Sequence, residues 1–313
     1  MKSFLITLIK FTFFCFFIYT LLIFLWGTLP IHNVIKSNIV SEQGKLNGYT
    51  STRLKEIKEF ENIDILFIGS SVVNYGFDNR IFEKEGYKTF NLGTSGQTPI
   101  QTQLLLDRYL DKLNPKLIIY ALTPSILTRD GVESSLDIIS SEKNDFRSIR
   151  MGLQTKHITV YNSLLYFLFV NLFEIDFDWK EASAEGANYI KGGYVESKKD
   201  GHYKEYLVKP CQLQFNSAQL NMLKENVSTF QNRKIDYLFV NTPIASLEYN
   251  SYINRSDFDS IIVQQGSYLD FNKILNLTDT LHLADATHLN QQGVEIFNSA
   301  LIELIKEYYF AVP

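Results

Sequence analysis

Cysteine is scarce in this chain, with Cys15 and Cys211 the two among 313 residues. Cys15 lies in an apolar N-terminal segment, so we do not expect a bond between them, and two cysteines cannot build a disulfide framework or a cysteine-based metal site. The count leaves the redox compartment open. A chain of this length buries a sizeable core without such cross-links, and it suits one large α/β domain with additions.

The chain also lacks the patterns of several ligand-binding classes. Its formal net charge is −4, without a run of lysine and arginine, which argues against nucleic-acid binding, where a basic patch is the usual footprint. The five histidines show no metal-binding spacing such as HExxH, and no Gly-x-x-x-x-Gly-Lys run predicts a phosphate-binding loop. The sequence therefore predicts no cofactor and no metal ion.

A long apolar segment occupies residues 1–30 and is predicted to be a membrane anchor. Its uncharged run starts at Phe11 and, with the residues after Trp26, approaches the ~20 residues that span a bilayer. The alternatives are a buried helix and a cleaved signal peptide, although the residues after the run are a poor cleavage site. Because Lys2 and Lys10 precede the run, the positive-inside rule predicts a cytoplasmic N-terminus and an extracytoplasmic globular part.

The remainder divides into a polar stalk at 31–61 and a domain at 62–313. The predicted strands of this domain are Ile63–Ile68, Tyr87–Asn91, Lys116–Leu122 and Asp236–Asn241. Because helical patterns alternate with them, we predict a three-layer α/β sandwich with a mainly parallel sheet. The alternation of predicted strands and helices stops at about 125–214, which we predict to be a largely helical insertion. Its apolar run Val160–Phe173 is interpreted as a helix packed on the core, a substrate-facing lid or a membrane-surface element.

Ser71 follows the first predicted strand in a tight turn at the carboxyl edge of the sheet, where ligands of such sheets bind. Far along the chain, Asp285 and His288 stand three residues apart. A serine hydroxyl is a weak nucleophile until a base removes its proton, and a carboxylate can orient that base. We therefore predict that these three residues form one catalytic site. The alternatives are that Ser70 and Ser71 merely cap a helix, that the acid and the histidine are ordinary loop residues, or that both bind zinc with His282.

Other local patterns surround these residues. Val72–Gly76 is predicted to continue the turn after the serine, and Leu281–Leu283 to be a short strand or extended lead-in to the acid/base loop. Thr98 to Gln101 predicts a helix start with a capping box. Acyl transfer also needs oxyanion donors. The backbone N–H groups of Ser71 and Gly93 are the candidates, with simple turn chemistry as the alternative for the glycine.

Three blocks of this chain resemble those of SGNH (GDSL-like) hydrolases. Gly69-Ser70-Ser71 resembles the Gly-Asp-Ser block, Asn91-Leu92-Gly93 the second block, and Asp285-Ala286-Thr287-His288 the terminal Asp-x-x-His block. The resemblance implies a flavodoxin-like fold with the serine as nucleophile, the acid and histidine as its partners, and the glycine of the second block as an oxyanion donor.

Two positions depart from the family pattern. Ser70 replaces the usual aspartate, and the third block, Gly-x-Asn-Asp, is missing its asparagine because the strand runs into Ala121-Leu122-Thr123. Loss of one oxyanion donor can lower the rate by ~10²–10³. Thr123 is the candidate substitute.

The anchor and the altered third block are similar to accessory proteins of cell-envelope O-acylation, such as those of alginate acetylation and teichoic-acid D-alanylation. In those systems such a domain works beside a membrane-bound O-acyltransferase. The resemblance implies a membrane-anchored, extracytoplasmic serine esterase or O-acyltransferase acting on acyl esters, acetyl esters foremost, of cell-envelope polysaccharide. The expected partners are the glycan, the inner membrane and an O-acyltransferase. The alternatives are a non-catalytic glycan-binding or scaffolding protein and a phospholipid-directed lipase.

Overall fold

A parallel sheet of five strands forms the centre of the molecule in the computed structural model, which describes residues 1–28, 39, 48–175, 187–197, 203 and 207–309. The predicted stalk and insertion therefore lie partly outside the described residues. The strands are β1 (Ile65–Gly69), β2 (Thr89–Gly93), β3 (Leu117–Ala121), β4 (Ala187–Ile190), β5 (Tyr194–Ser197), β6 (Asp236–Asn241) and β7 (Tyr268–Asp270).

The order in the central sheet is β2-β1-β3-β6-β7, and every neighbouring pair is parallel. β4 and β5 form a separate antiparallel hairpin within the insertion. The predicted fold class, a mainly parallel sheet covered by helices, is confirmed. The four predicted strands are present as β1, β2, β3 and β6, with ends shifted by at most two residues.

Helices cover both faces of the sheet. They are α1 (Lys2–Thr28), α2 (Thr50–Glu56), α3 (Ser71–Gly76), α4 (Asn79–Lys84), α5 (Pro99–Leu113), α6 (Val132–Ser141), α7 (Phe146–Thr155), α8 (Ile158–Leu172), α9 (Ser217–Asn232), α10 (Ser246–Ser251), α11 (Arg255–Val263), α12 (Phe271–Ile274), α13 (Asp279–His282) and α14 (Gln291–Tyr308). Short 3₁₀ turns occupy Ile57–Glu59 and Pro124–Thr128.

The alternation of side chains along each strand divides the core into two layers. In β1, Leu66 and Ile68 point to one layer, which contains residues of α5, α8 and α9. Ile65 and Phe67 point to the other, with residues of α3, α12 and α14. Successive strand residues face opposite sides of a sheet, so β1 and β3 are apolar and buried throughout because both of their faces are covered.

The apolar run in the insertion forms α8, which packs on α6 and α7 and also on α1. Val160 and Tyr166 of this helix are fully buried. The helix is therefore packed on the core, one of the three interpretations of this run.

Among the described residues, α1 is long and apolar enough to cross a membrane, with 27 residues and a mean hydropathy of 2.3 over its most apolar 18 residues. Most of its surface is exposed, and only Thr20, Ile23 and Gly27 are buried. Length and composition fit either an anchor or a signal sequence.

Candidate active site

The turn after β1 exposes Ser71 because Gly69 lets the backbone bend there. Gly69 has φ +145°, and a Cβ at this position would lie 2.4 Å from the carbonyl oxygen of Ala121. A side chain is therefore excluded on conformational and steric grounds. Ser71 is the first residue of α3, and the preceding Ser70 makes no side-chain capping bond. Ser70 therefore occupies the N-cap position without a side-chain bond, which argues against the alternative that these two serines merely cap a helix.

A short closed loop places His288 and Asp285 opposite that serine. Leu283 and Leu289 form an isolated antiparallel bridge, and the N–H of Ala284 donates to the carbonyl of His288 at 2.9 Å. Oδ1 of Asp285 accepts the backbone N–H of His288 at 2.9 Å. The loop therefore closes on its own acid, which fixes the direction of the imidazole.

The three predicted side chains form one continuous chain of hydrogen bonds. Nε2 of His288 lies 2.8 Å from Oγ of Ser71, and its Nδ1 lies 2.8 Å from Oδ2 of Asp285. With the proton on Nδ1, the ring donates to the carboxylate and accepts from the serine hydroxyl. The histidine side chain is 22% exposed, so the base remains within reach of solvent and substrate.

The carboxylate of Asp285 is held in its ionised form. Partial desolvation raises its pKa, but the hydrogen bond and charge of His288, with the backbone N–H groups of Thr287 and His288, outweigh that effect and lower the pKa to about 2. A carboxylate ionised at neutral pH can orient the imidazole and stabilise the imidazolium that forms when the base takes a proton.

Tyr75, one helical turn after the serine, borders the base. Its ring is edge-on to the imidazole of His288, with centroids 5.2 Å apart. A shallow cleft beside it is lined by Val72, Tyr75, Gly76, Thr242, Pro243, Thr287, His288 and Leu289. Burial raises the pKa of Tyr75, so its phenol stays neutral. Sequence reasoning missed this residue, although an aromatic four positions after a nucleophile is a signal that could have found it.

The predicted oxyanion donors lie around the same strand ends. No described residue accepts the backbone N–H of Ser71. Gly93 pairs in register with Gly69, but its N–H points to Oδ1 of Asn91 at 3.3 Å. Thr123 follows β3, and its hydroxyl lies 3.5 Å from that of Ser125. The oxyanion roles of these groups stay predictions.

Asn74 is a second residue that sequence reasoning missed. Its side chain is completely buried on α3, and neither of its amide atoms has a hydrogen-bond partner among the residues that the structure describes. A Cβ added to Gly93 would lie 2.5 Å from Oδ1 of Asn74 and 3.0 Å from the carbonyl oxygen of Ser70. Glycine at position 93 therefore makes room for this amide directly behind the turn that carries the nucleophile.

His282, the third residue of the zinc alternative, makes a different contact. Nδ1 of His282 accepts the backbone N–H of Thr278 at 2.8 Å at the start of α13. Within the described part of the chain, no group of three or more histidine, cysteine, aspartate or glutamate side chains could hold a metal ion. Residues 281 and 282 are helical, so the predicted strand at Leu281–Leu283 is wrong; Leu283 alone is extended.

Comparison of the sequence with protein-family models gives no match, and comparison with curated proteins gives none either. Solved structures similar to this chain include a GDSL-like lipase from Bacteroides thetaiotaomicron, with a TM-score of 0.42 and 10% identity over 82% of this chain and 97% of that one. A catalytic mutant of an acetylxylan esterase from Geobacillus stearothermophilus has a TM-score of 0.41 and 11% identity over 79% and 95% of the two chains.

A two-domain esterase active on acetylated mannans has a TM-score of 0.40 and 10% identity, over 86% of this chain and 55% of that one. These three neighbours are a lipase, described as GDSL-like, and two esterases. Likeness at these scores is distant. The case for a function therefore rests on Ser71, His288 and Asp285, which give a three-layer α/β protein a serine–histidine–aspartate arrangement.

Proposed function

We propose that the protein is a membrane-anchored serine esterase or O-acyltransferase acting on acyl esters, acetyl esters foremost, of cell-envelope carbohydrate outside the cytoplasm. The observation that carries this proposal is the hydrogen-bonded chain from Ser71 through His288 to Asp285, with 2.8 Å at each link. Its residues are far apart in the sequence. The fold brings them together at the carboxyl edge of the sheet, where ligands bind.

In this mechanism Oγ of Ser71 attacks the acyl carbonyl while Nε2 of His288 takes the hydroxyl proton. The carboxylate of Asp285 stabilises the imidazolium. The tetrahedral oxyanion accepts hydrogen bonds from the free N–H of Ser71 and from the remaining donors, for which Gly93 and Thr123 are candidates. Collapse breaks the ester bond, and the departing alcohol oxygen takes the proton from the imidazolium.

The acyl-serine is then resolved by a second nucleophile. Water yields a free acid, whereas a sugar hydroxyl yields a new ester. In either case His288 removes the proton from the attacking oxygen and returns it to Oγ of Ser71. The same site therefore serves hydrolysis and transfer, and the acceptor that enters decides between them.

Contacts of α1 support a retained anchor over a cleaved signal peptide. The hydroxyl of Tyr166 in α8 donates to the carbonyl of Gly27 at 3.2 Å, and the ring of Phe24 lies 6.3 Å from that of Tyr166. Tyr166 is fully buried, so cleavage after α1 would expose a large aromatic surface. We expect the mature protein to keep α1, and the lysines before the apolar run favour an extracytoplasmic domain.

A non-catalytic glycan-binding or scaffolding protein, acting beside a membrane-bound O-acyltransferase, is the second candidate. It is favoured by one observation: β3 leads into Thr123, so no asparagine amide follows this strand as an oxyanion donor. Such a protein would keep the fold and bind acylated carbohydrate without turnover.

Substitution of the nucleophile tests the proposal. In the full chain in detergent, Ser71→Ala should lower the turnover of p-nitrophenyl acetate and of an acetylated xylo-oligosaccharide by ~10⁴–10⁶. Ser70→Ala is the matched control, because the neighbouring side chain makes no capping bond. It should leave turnover close to that of the unchanged protein.

A fluorophosphonate that labels reactive serines should modify the unchanged protein and Ser70→Ala but not Ser71→Ala. Equal turnover by Ser71→Ala and the unchanged protein would refute the catalytic assignment. Binding of the acetylated glycan with neither turnover nor labelling would establish the non-catalytic alternative.

A further inference from the structure

The C-terminal half of α1 and the last turns of α8 form one apolar surface. The ring of Phe24 lies 6.3 Å from that of Phe169, and the hydroxyl of Tyr19 donates to the side chain of Asn162. Between the helices is an apolar hollow lined by Phe17, Thr20, Leu21, Phe24, Phe169 and Phe173. The end of α8 therefore lies in the same surroundings, lipid or water, as the C-terminal half of α1.

The length of α1 sets the depth at which this hollow lies in a bilayer that α1 crosses. A helix rises ~1.5 Å per residue, so ~20 residues cross a hydrocarbon layer of ~30 Å. One limiting register begins after Lys2 and ends near Leu22, and the other begins after Lys10 and continues to the end of the helix. Both registers place residues 17–21 inside the hydrocarbon. Phe169 of α8 and Phe173, directly after that helix, line the hollow with these residues and must lie at the same depth.

Large apolar side chains continue this surface into solvent. Leu172 is 73% exposed and Phe173 62% exposed at the end of α8. The backbone N–H of Asn144 donates to Oδ1 of Asn171 at 2.8 Å, which brings the start of α7 beside them, and Phe146 there is 71% exposed. We name Phe146, Leu172 and Phe173 the apolar patch. Large exposed apolar side chains grouped in this way mark an interaction site.

We propose that the apolar patch is inserted in the acyl chains of the same bilayer that α1 crosses. This inference rests on the anchoring part of the proposed function. The occupant is lipid because the patch is continuous with the hollow between α1 and α8, whose residues 17–21 lie at hydrocarbon depth in either register. The domain is then held on the membrane by two contacts and keeps one orientation toward it.

Depth-dependent quenching of single labels tests the insertion. The full chain is reconstituted in phosphatidylcholine–phosphatidylglycerol liposomes, with an environment-sensitive fluorophore on one cysteine. Phe146→Cys, Leu172→Cys and Phe173→Cys are made with Cys15→Ser and Cys211→Ser. Val263→Cys on α11 is the matched control, because Val263 is an apolar residue 61% exposed. Native Cys15, with Cys211→Ser, reports on α1 itself.

The expected result is loss of fluorescence with acyl-chain nitroxide lipids for labels at 15, 146, 172 and 173. The label at 263 should respond to aqueous iodide instead. If 15 is quenched by lipid while the three patch labels respond to iodide as 263 does, the patch is in water; insertion fails and the anchor stands. If 15 is not quenched by lipid, both the anchor and the insertion fail. Patch labels protected from both quenchers would indicate cover by a second copy and overturn lipid insertion.

Discussion

The phenol ring of Tyr75 lies edge-on to the imidazole of His288, at a centroid distance of 5.2 Å and an interplanar angle of 66°. Tyr75 and Ser71 belong to the same short helix, α3. One turn of helix therefore carries both the proposed nucleophile and a ring that borders the base. Since geometry errors of ~1 Å can lower rates by ~10², this contact should matter for turnover.

We predict that Tyr75→Ala lowers kcat by ~10–10² with a smaller change in KM, because the imidazole loses a positioning neighbour. Tyr75→Phe keeps the ring and should retain near-normal kcat, which separates the ring contact from the hydroxyl. Steady-state kinetics on p-nitrophenyl acetate measure both. An equal loss in the two variants would assign the effect to the hydroxyl and contradict a role for ring packing.

The carboxylate of Asp285 carries the next prediction. Asp285→Asn should lower kcat at neutral pH by ~10³–10⁴, because an amide no longer stabilises the imidazolium or holds the correct tautomer. The pKa of Asp285 is lowered to about 2, so in the unchanged protein the acid stays ionised well below neutrality. The loss should therefore persist across the whole neutral and alkaline range of the rate profile. A deficit confined to acidic pH would contradict this role.

The same acid contributes to stability with a defined sign. Its folded pKa of about 2 lies below the ~3.9 of an unfolded aspartate. Its contribution is therefore present above pH ~4 and is lost as pH falls toward the folded value. The side chain is 57% exposed, so solvent screening keeps that contribution small. Denaturant titrations at neutral and acidic pH measure the free energy of unfolding of Asp285→Asn and of the unchanged protein. The difference between these two free energies should become smaller at acidic pH.

Substitutions at Gly93 and Asn74 are predicted to have non-additive effects on the free energy of unfolding. A methyl group at position 93 would lie 2.5 Å from Oδ1 of Asn74, so Gly93→Ala should lower the free energy of unfolding by ~1–3 kcal/mol through overpacking. Adding Asn74→Ala removes the clashing amide. The double variant should therefore be more stable than additive losses predict, by ~1 kcal/mol or more. Urea unfolding of the four proteins gives this coupling free energy, and strict additivity would contradict the clash.

Features encoded by short local patterns could be predicted from the sequence. The capping box at Thr98 and Gln101 is confirmed, because each partner lies within one helical turn of the other. The loop from Asp285 to His288 closes through its own backbone. A hydrophobic run long enough for a strand, such as β6 (Asp236–Asn241), is recognisable without knowledge of its neighbours.

Features that depend on distant contacts could not be predicted. The three-residue strand β7 is too short to show periodicity, and it exists because it pairs with β6. Arg53 donates to the carbonyl of Gly193 at 2.8 Å across 140 positions, which joins α2 to a hairpin that the sequence gives no reason to place there. The segment after Ser71, expected to continue the turn, is helical because Val73 packs beside Gly69 and Gly93. Such pairings follow from the assembled sheet.

The side chain of Arg108 connects the sandwich to the predicted insertion. Its side chain is 7% exposed on α5, and Nη1 lies 2.8 Å from Oε2 of Glu142, which is 13% exposed. Nη2 lies 3.1 Å from Oδ1 of Asp145 and donates to Oγ of Ser148 at 2.6 Å. One guanidinium therefore joins α5 to the junction of α6 and α7.

We predict that Arg108→Met lowers the free energy of unfolding by about 2 kcal/mol, because Glu142, which is 13% exposed, loses its nearest cation. Arg150→Met is the matched control. Arg150 pairs with Glu225 at 3.2 Å, but both side chains are more than half exposed, so its loss should cost at most about 0.5 kcal/mol. Urea unfolding of the full chain in detergent measures both. Since burial is the difference between the two pairs, equal losses would mean that Arg108 does not hold the insertion in place.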